Sequence, residues 1–340
     1  MAKLLAKRPC ELTIADVAPR GRPNTFAYHF KRLQHNLLAL LRILKQSRRS
    51  KRTVYLSVDN SWGVFYSLAL TLAARITQSQ IVLHHHSARY SQKYQPLFAL
   101  LVRLAGPRAT HVLASSNMIK GFHSLYPSAR RILQVHNVGF VTSGRQRMDH
   151  PARPLTLGLL SNLSKDKGVD GVLETFTGLV DAGVSCRLIL AGPLVDASSA
   201  EAVDQLRPIY GDQIELRGTV SGAAKERFFE DIDVFLFPST WKHETQSLVV
   251  PEAMSFGIPV IAYAHAHVGE VLADSCFAIP PGERFAAAAI PILQRWAERP
   301  EELREASARS YEHFQAMCRT STEQLEVLLE RILNPIDVLN

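Results

Sequence analysis

The sequence predicts an α/β protein of two domains, each built on a mostly parallel β-sheet with helices on its faces. Three observations predict this fold class. The chain has 340 residues, more than twice the usual length of one domain. Short runs of β-branched residues alternate with longer segments of helical period, which is typical of βαβ units. Residues 138–154 have neither period and contain two prolines, which predicts a linker between the halves.

The predicted elements follow in order along the chain. Residues 1–140 form the N-terminal domain, with strands near Leu12–Val17, Thr53–Val58, Gln80–His86, His111–Ala114 and Arg131–Val135. Residues 141–154 are the linker. Residues 155–315 form the C-terminal domain, with strands near Leu155–Leu160, Arg187–Ala191, Ile214–Leu216, Val234–Phe237, Pro259–Tyr263 and Phe277–Ile279. We expect residues 316–340 to form a helix that packs back on the N-terminal domain.

Composition excludes several classes of protein. With 46% hydrophobic and 21% charged residues, the chain is typical of a soluble globular protein. No stretch of about eighteen apolar residues is free of charge, and the first residues have too short an apolar run for a signal peptide. The four cysteines lie far apart without metal-ligand spacing, which predicts reduced thiols in the cytoplasm.

The charge is distributed unevenly between the two halves. Residues 1–150 contain 23 Lys and Arg against 4 Asp and Glu, a net charge of +19, whereas residues 151–340 contain 16 against 27, or −11. A basic surface attracts anionic lipid, nucleic acid or phosphorylated substrates through the same field. The sign of the charge therefore leaves these three partners open.

A lysine follows the first predicted strand of the C-terminal domain. The segment SNLSKDKG, residues 161–168, lies between the strand TLGLL and a helical run. At such a turn the Lys167 ammonium would point into the crevice at the carboxyl ends of the strands, where a helix N-terminus also favours phosphate. We interpret Lys167 as a diphosphate-binding residue; a solvated lysine at a helix start is the alternative.

Two glutamates follow the strand VFLFP. Glu244 lies in the loop after this strand, and Glu252 is predicted about two turns inside the next helix. Both carboxylates can then approach one ligand. A buried carboxylate needs hydroxyl or amide donors, and the vicinal hydroxyls of a ribose or hexose supply them.

These residues resemble the retaining glycosyltransferases of family 4, which have the GT-B fold of two Rossmann-like domains facing a cleft. The family signature is two glutamates separated by seven residues, here Glu244 and Glu252. The resemblance covers nearly all of residues 155–285. Its further elements are Lys167-Gly168, the turns at 190–193 and 216–220, and the segment 279–282.

The resemblance implies a retaining hexosyltransferase with a nucleoside-diphosphate sugar as donor and a lipid-linked or polysaccharide acceptor. It implies that Glu252 bonds the ribose hydroxyls, that Glu244 lies near the donor sugar, and that Lys167 neutralises the leaving diphosphate. The other nucleotide-sugar contacts that it implies are Asn162, Gly192, Gly218, Val220, Gln246, Ser247 and Leu248. No metal ion or other cofactor is expected, since the nucleotide sugar is the substrate.

The sequence departs from the family pattern in two places. The family often has Gly-Arg where this chain has Ser161-Asn162, so a second cation on the diphosphate is missing. Ahead of the segment 12–17, the first strand and glycine-rich loop of the family have no counterpart, which predicts an N-terminal domain lacking its first strand. Truncation or a late start codon is the simpler explanation, and natural loss is the other.

Three consecutive histidines end one predicted strand of the N-terminal domain. By strand alternation His84 and His86 share one face and His85 takes the other. Consecutive strand residues cannot converge on one ion, so we expect no metal site. In the family a histidine at this place faces the donor, and His86 matches it. The alternative is a structural histidine at the cleft edge, whose hydrogen bonds are made within the protein.

The segment 28–45 predicts an amphipathic helix with a basic tail at residues 48–52. Such a helix can lie on an anionic bilayer, and we expect a protein that is cytoplasmic and peripheral to the inner face of the membrane. Core packing explains the leucines equally well. No recognition helix or set of stacking aromatics favours nucleic acid.

Two other functions stay open at this point. A non-catalytic GT-B protein would bind the nucleotide sugar without turnover, and the missing strand and Gly-Arg pair favour it. A nucleotide-sugar isomerase has the same two-domain fold, but it would lack paired glutamates at this spacing.

Overall fold

The computed structural model describes residues 1–17, 25–45, 52–59, 61–141, 144, 154–241, 247–264, 268–272 and 277–335. The chain divides into two compact units. One comprises Met1–His136 together with Thr322–Asn340, and the other comprises Asn137–Ser321. The predicted linker, residues 141–154, lies mostly outside the described residues. No helix in the described ranges is long and apolar enough to cross a membrane.

The first unit contains a four-stranded parallel sheet in the order β1-β2-β3-β4. Its strands are β1 Thr53–Val58, β2 Gln80–His85, β3 Thr110–Leu113 and β4 Arg131–Gln134. Its helices are α1 Ala2–Leu5, α2 Phe26–Lys45, α3 Val64–Ile76, α4 Arg89–Gln92, α5 Pro96–Ala105 and α6 Ser116–Leu125. All residues of β2 and β3 are buried, as expected for central parallel strands covered on both faces.

Local sequence signals begin and end these helices. Proline occupies the first turn of α5, and Gly106 with a φ of +81° ends it. At the start of α6, the Ser115 side chain accepts a hydrogen bond of 3.2 Å from the Met118 amide. These signals were available from sequence, and the four strands of this unit lie within one residue of their expected bounds.

The second unit contains a six-stranded parallel sheet in the order β10-β9-β8-β5-β6-β7. Its strands are β5 Leu155–Leu160, β6 Cys186–Ala191, β7 Ile214–Gly218, β8 Val234–Phe237, β9 Val260–Tyr263 and β10 Phe277–Ile279. Its helices are α7 Val169–Asp181, α8 Ala197–Tyr210, α9 Ala223–Asp231, α10 Val249–Ser255, α11 Val268–Leu272, α12 Phe285–Glu298 and α13 Pro300–Leu333, the last of which continues into the first unit. The core of this unit is formed by the sheet with Phe176, Phe228, Phe229 and their apolar neighbours.

The predicted strand Leu12–Val17 is wrong. Residues 11–17 form no strand, and Ile14 is 61% exposed. The carbonyl of Asp16 is hydrogen-bonded to the His35 ring, and the carbonyl of Val17 accepts a hydrogen bond from the Asn36 side chain. Side chains of α2 therefore satisfy backbone groups that a neighbouring strand would otherwise have paired.

The C-terminal part of α13 packs within the first unit. Leu325, Leu328 and Leu329 lie in a buried cluster with Val82 of β2 and Val112 of β3. Three hydrogen bonds fasten it to the strands and the segment after β4: Thr53 to the Ile332 carbonyl, Gln80 to the Arg331 carbonyl, and the His136 amide to Gln324. The division between the units falls after Ser321, inside the helix α13, which begins at Pro300. Residue 315, the predicted end of the C-terminal domain, therefore lies within this helix.

Candidate functional site

The second sheet has a topological switch point, where the chain stops adding strands on one side of β5 and continues on the other side. From β5 the chain proceeds to β6 and β7 on one side, and it then returns to β8 on the other side of β5. The strands β5 and β8 are therefore neighbours whose connections run to opposite sides of the sheet. In open parallel sheets, ligands bind outside the carboxyl ends of such a pair of strands.

The loop after β5 is held by a network of backbone hydrogen bonds. The Ser164 side chain accepts from the Lys167 amide at 3.3 Å, at the start of a single 3-10 turn, Lys165–Lys167. Asp196, at the start of α8, accepts from the Lys165 amide at 3.0 Å and from the Ser199 amide at 2.7 Å. These hydrogen bonds, the one from Ser199 first, lower the pKa of Asp196 to about 2.

Gly168 brings the loops after β5 and β8 together. Its φ is +84°, and a Cβ at this position would lie 2.3 Å from the Pro238 carbonyl oxygen, so only glycine fits. Next to it, the Thr240 amide donates to the Asp166 carbonyl at 2.9 Å. The Lys167 ammonium lies 6.0 Å from the centre of the Trp241 ring, at the outer limit of a cation–π contact. The half-buried Lys167 thus lies beyond the end of β5, next to the loop after β8.

Two further glycines meet at the neighbouring strand ends. The Gly192 amide, directly after β6, donates to the Gly218 carbonyl at 2.6 Å. Gly192 has a φ of +123°, and a Cβ there would lie 1.7 Å from the Ser161 carbonyl oxygen. The backbones after β5, β6 and β7 therefore approach closely. Asn162 is exposed on this edge and Val220 is half-buried.

Glu252 is held by an ion pair that the sequence analysis missed. Its Oε1 lies 2.6 Å from the Nζ of Lys225, which is in the first turn of α9, and its side chain is only 17% exposed. Its other oxygen, Oε2, is buried and has no hydrogen-bond partner among the described residues. Glu252 belongs to the first turn of α10, so its predicted place two turns inside the helix is wrong. The helix begins later than expected, at Val249.

No local signal marks Lys225 in the sequence. It is 27 residues from Glu252, and only the packing of α9 and α10 in the same unit brings the two together. From sequence, a lysine in a helix with several acidic residues is predicted to be a solvated surface charge.

Arg217, in the strand β7, makes two ion pairs. Its guanidinium lies 2.7 Å from Glu215 and 2.7 Å from Asp231 at the end of α9. The hydrogen bond from Arg217 lowers the pKa of the Glu215 carboxyl. The guanidinium therefore joins β7 to α9.

Four of the predicted site residues precede α10 in the sequence. Two of them, Glu244 and Gln246, lie outside the described residues. Ser247 is half-buried and Leu248 is exposed, and both directly precede the helix that contains Glu252.

The histidines of the first unit alternate across β2 as predicted. The rings of His84 and His86 are 4.1 Å apart. On the other face, the His85 ring stacks on His111, with 3.0 Å between Nε2 of His85 and Nδ1 of His111. His86 is exposed and directly follows β2. In the described part of the chain, no three His, Cys, Asp or Glu side chains are arranged to hold a metal ion.

Comparisons with known proteins find similarity over most of the second unit and in the fold of the whole chain. The family model of glycosyl transferases group 1 matches residues 154–295. No curated protein sequence matches the chain. Solved structures do match in fold. A complex of HepE from Anabaena with UDP-glucose superposes with a TM-score of 0.63 at 16% identity, over 90% of each chain.

Two other solved structures have the same fold. Sucrose-phosphate synthase from Thermosynechococcus elongatus matches with a TM-score of 0.65 at 17% identity, over 91% of this chain and 80% of the other. The pneumococcal O-GlcNAc transferase GtfA, in complex with UDP and GlcNAc, matches with a TM-score of 0.67 at 15% identity, over 88% of this chain and 60% of the other. The chain has the GT-B fold, and its segment 154–295 is similar to the glycosyl transferases of group 1.

Proposed function

We propose that the protein is a retaining hexosyltransferase that moves a sugar from a nucleoside-diphosphate sugar to a lipid-linked or polysaccharide acceptor. One observation carries the proposal. Glu252 presents a buried carboxylate oxygen without a hydrogen-bond partner among the described residues, within the segment that matches the family. A desolvated carboxylate oxygen is unfavourable unless a donor reaches it. The ribose hydroxyls of a nucleotide are suitable donors.

The donor is proposed to be a UDP-sugar. Two of the proteins with this fold were solved with UDP or UDP-glucose, and this supports the choice of base. In this arrangement the main chain at Gly192, Gly218 and Val220 lines the nucleotide, while Asn162, Gln246, Ser247 and Leu248 complete its contacts.

Catalysis is proposed to be mainly electrostatic. Departure of the sugar leaves negative charge on the diphosphate, and the half-buried Lys167 stabilises that charge more strongly than a solvated lysine would. Glu244 and His86 are proposed to contact the donor sugar. We place the reaction in the cytoplasm, at the inner face of the membrane where a lipid-linked acceptor is found.

The test is a panel of UDP- and GDP-sugars measured by calorimetry and by release of free nucleotide, with a crude lipid and glycan extract as acceptor. The wild type should bind a UDP-sugar and release UDP. Glu252→Ala should weaken nucleotide binding by about 10- to 100-fold, because hydrogen bonds to a charged group are lost.

Glu226→Ala is the matched control, since Glu226 is an exposed carboxylate in the first turn of α9. It should bind as the wild type does. If no nucleotide binds, or if Glu252→Ala binds normally, the site assignment is wrong. If nucleotide binds but none is released with any acceptor, the protein is a non-catalytic relative. A changed sugar without acceptor would identify an isomerase.

A further inference from the structure

One face of α2 is apolar and exposed. The side chains that form it, which we call the α2 stripe, are Phe26, Phe30, Leu33, Leu37, Leu41 and Leu44, between 41% and 87% exposed. At about 100° per residue these positions fall within about 80° of the helix circumference. The stripe therefore runs straight along all five to six turns of the helix.

The core does not account for the α2 stripe. The fully buried residues of α2 are Asn36 and Ala39, on a different side of the helix. Core packing, which explained the leucines equally well from sequence, is therefore wrong for most of them. Contiguous exposed apolar surface of this kind marks an interaction site.

Aromatic residues extend this surface at the start of α3. Trp62 is 83% exposed and stacks on the exposed Phe65, with 5.9 Å between ring centroids. Both aromatic residues lie near α2. Arg32 of α2 forms an ion pair of 2.8 Å with Asp59, and its guanidinium contacts Gly63, the residue after Trp62. An exposed tryptophan with an apolar body and one polar N–H is suited to the boundary between water and lipid.

The charges of α2 are all positive. The helix contains no Asp or Glu, and its exposed cations Lys31, Arg42 and Lys45 lie within about 100° of one edge of the stripe. These cations therefore border the apolar surface on one side. Residues 1–150, which contain the helix, have a net charge of +19.

We propose that the α2 stripe, with Trp62 and Phe65, docks on an anionic lipid bilayer. A basic amphipathic helix buries its apolar face among the acyl chains, while its cations stay at the headgroups. A second copy of this chain fits less well, because a two-fold contact on this face would bring Lys31, Arg42 and Lys45 close to the same cations. The proposal rests partly on the proposed function, since a lipid-linked acceptor is encountered at a bilayer.

The experiment is flotation of the full chain with vesicles of neutral phosphatidylcholine, or of phosphatidylcholine with phosphatidylglycerol, at low and high salt. We expect binding to the anionic vesicles at low salt and little to the neutral ones. The charge variant Lys31→Gln/Arg42→Gln/Lys45→Gln should lose about tenfold or more of this binding. The apolar variant Phe30→Ser/Trp62→Ser should lose this binding as well.

Ile209→Ser is the matched control, because Ile209 is 71% exposed in the second unit. It should float as the wild type does. Thermal melting and UDP calorimetry of each variant separate a loss of docking from a loss of fold or of the nucleotide site. The proposal would be overturned if the charge variant and the apolar variant both float as the wild type does, or if the wild type binds neutral and anionic vesicles equally. A dimer in solution that Leu37→Glu dissociates would also overturn it, since a second copy would then cover the stripe.

Discussion

The ammonium of Lys225 lies 2.6 Å from one carboxylate oxygen of Glu252, and the other oxygen is buried without a hydrogen-bond partner among the described residues. The pair compensates the charge of a carboxylate that is mostly withdrawn from water. It also orients the group, since one oxygen is fixed on α9. Lys225 thus prepares Glu252 for a neutral donor such as a hydroxyl.

Lys225→Met should destabilise the second unit and weaken nucleotide binding. Removing the cation leaves the Glu252 carboxylate uncompensated, and we expect a loss of about 1–2 kcal/mol in unfolding free energy, less than for a fully buried pair because Lys225 is one-third exposed. Urea unfolding measures this loss. Arg227→Met, an exposed cation two residues further in the same helix, should change stability little. Equal losses in the two variants would contradict the role of the pair.

Gly168→Ala should be much more harmful than Gly183→Ala. Both glycines have a φ near +80°, so both alanines pay a backbone penalty of about 1–2 kcal/mol. A Cβ at Gly168 also meets the Pro238 carbonyl, whereas nothing lies within 4 Å of one at Gly183. We expect an additional loss of about 1–3 kcal/mol for Gly168→Ala. Thermal denaturation of the two variants measures the difference, and similar values would refute the close approach of the loops.

Lys167→Met should weaken the binding of UDP by about tenfold and leave the binding of uridine unchanged, because only UDP has the diphosphate. Calorimetry with both ligands measures the contrast. Lys165→Met is the control, as an exposed lysine in the same 3-10 turn. Loss of uridine binding in Lys167→Met would show that the lysine shapes the loop rather than binding phosphate.

The first unit should lose stability as the pH falls below neutrality. Burial lowers the pKa of His111 to about 4, and burial with the charge of His111 holds the pKa of His85 well below its usual range. The unfolded chain takes up protons near pH 6.5 while the folded histidines stay neutral, so stability falls from about pH 6.5 towards pH 4. For His111 alone we expect about 2 kcal/mol between pH 7.5 and pH 5.

Urea unfolding of the protein at these two pH values, followed at the transition of the first unit, measures this difference in unfolding free energy. The double variant His85→Leu/His111→Leu removes both groups and should show a smaller pH dependence in the same range. If its acid loss equals that of the wild type, other groups are responsible.

Local sequence patterns were sufficient for most of the fold. All ten strands in the described residues follow from period, β-branched residues and turn chemistry, which are short-range signals, and their bounds lie within two residues of the expected ones. The segment 12–17 failed because its carbonyls found partners in α2, a competition that a strand pattern does not encode.

In the candidate site too, some features could be inferred from the sequence and others only from the tertiary structure. Lys167, Gly168 and Glu252 could be named as candidates because their neighbours in sequence form a strand, a turn and a helix at the carboxyl edge of a parallel sheet. Lys225 as the partner of Glu252, and the exposure of the α2 stripe, were not recognisable. Each depends on which helices pack against each other, and amphipathic period alone does not distinguish a face that meets the core from one that meets solvent.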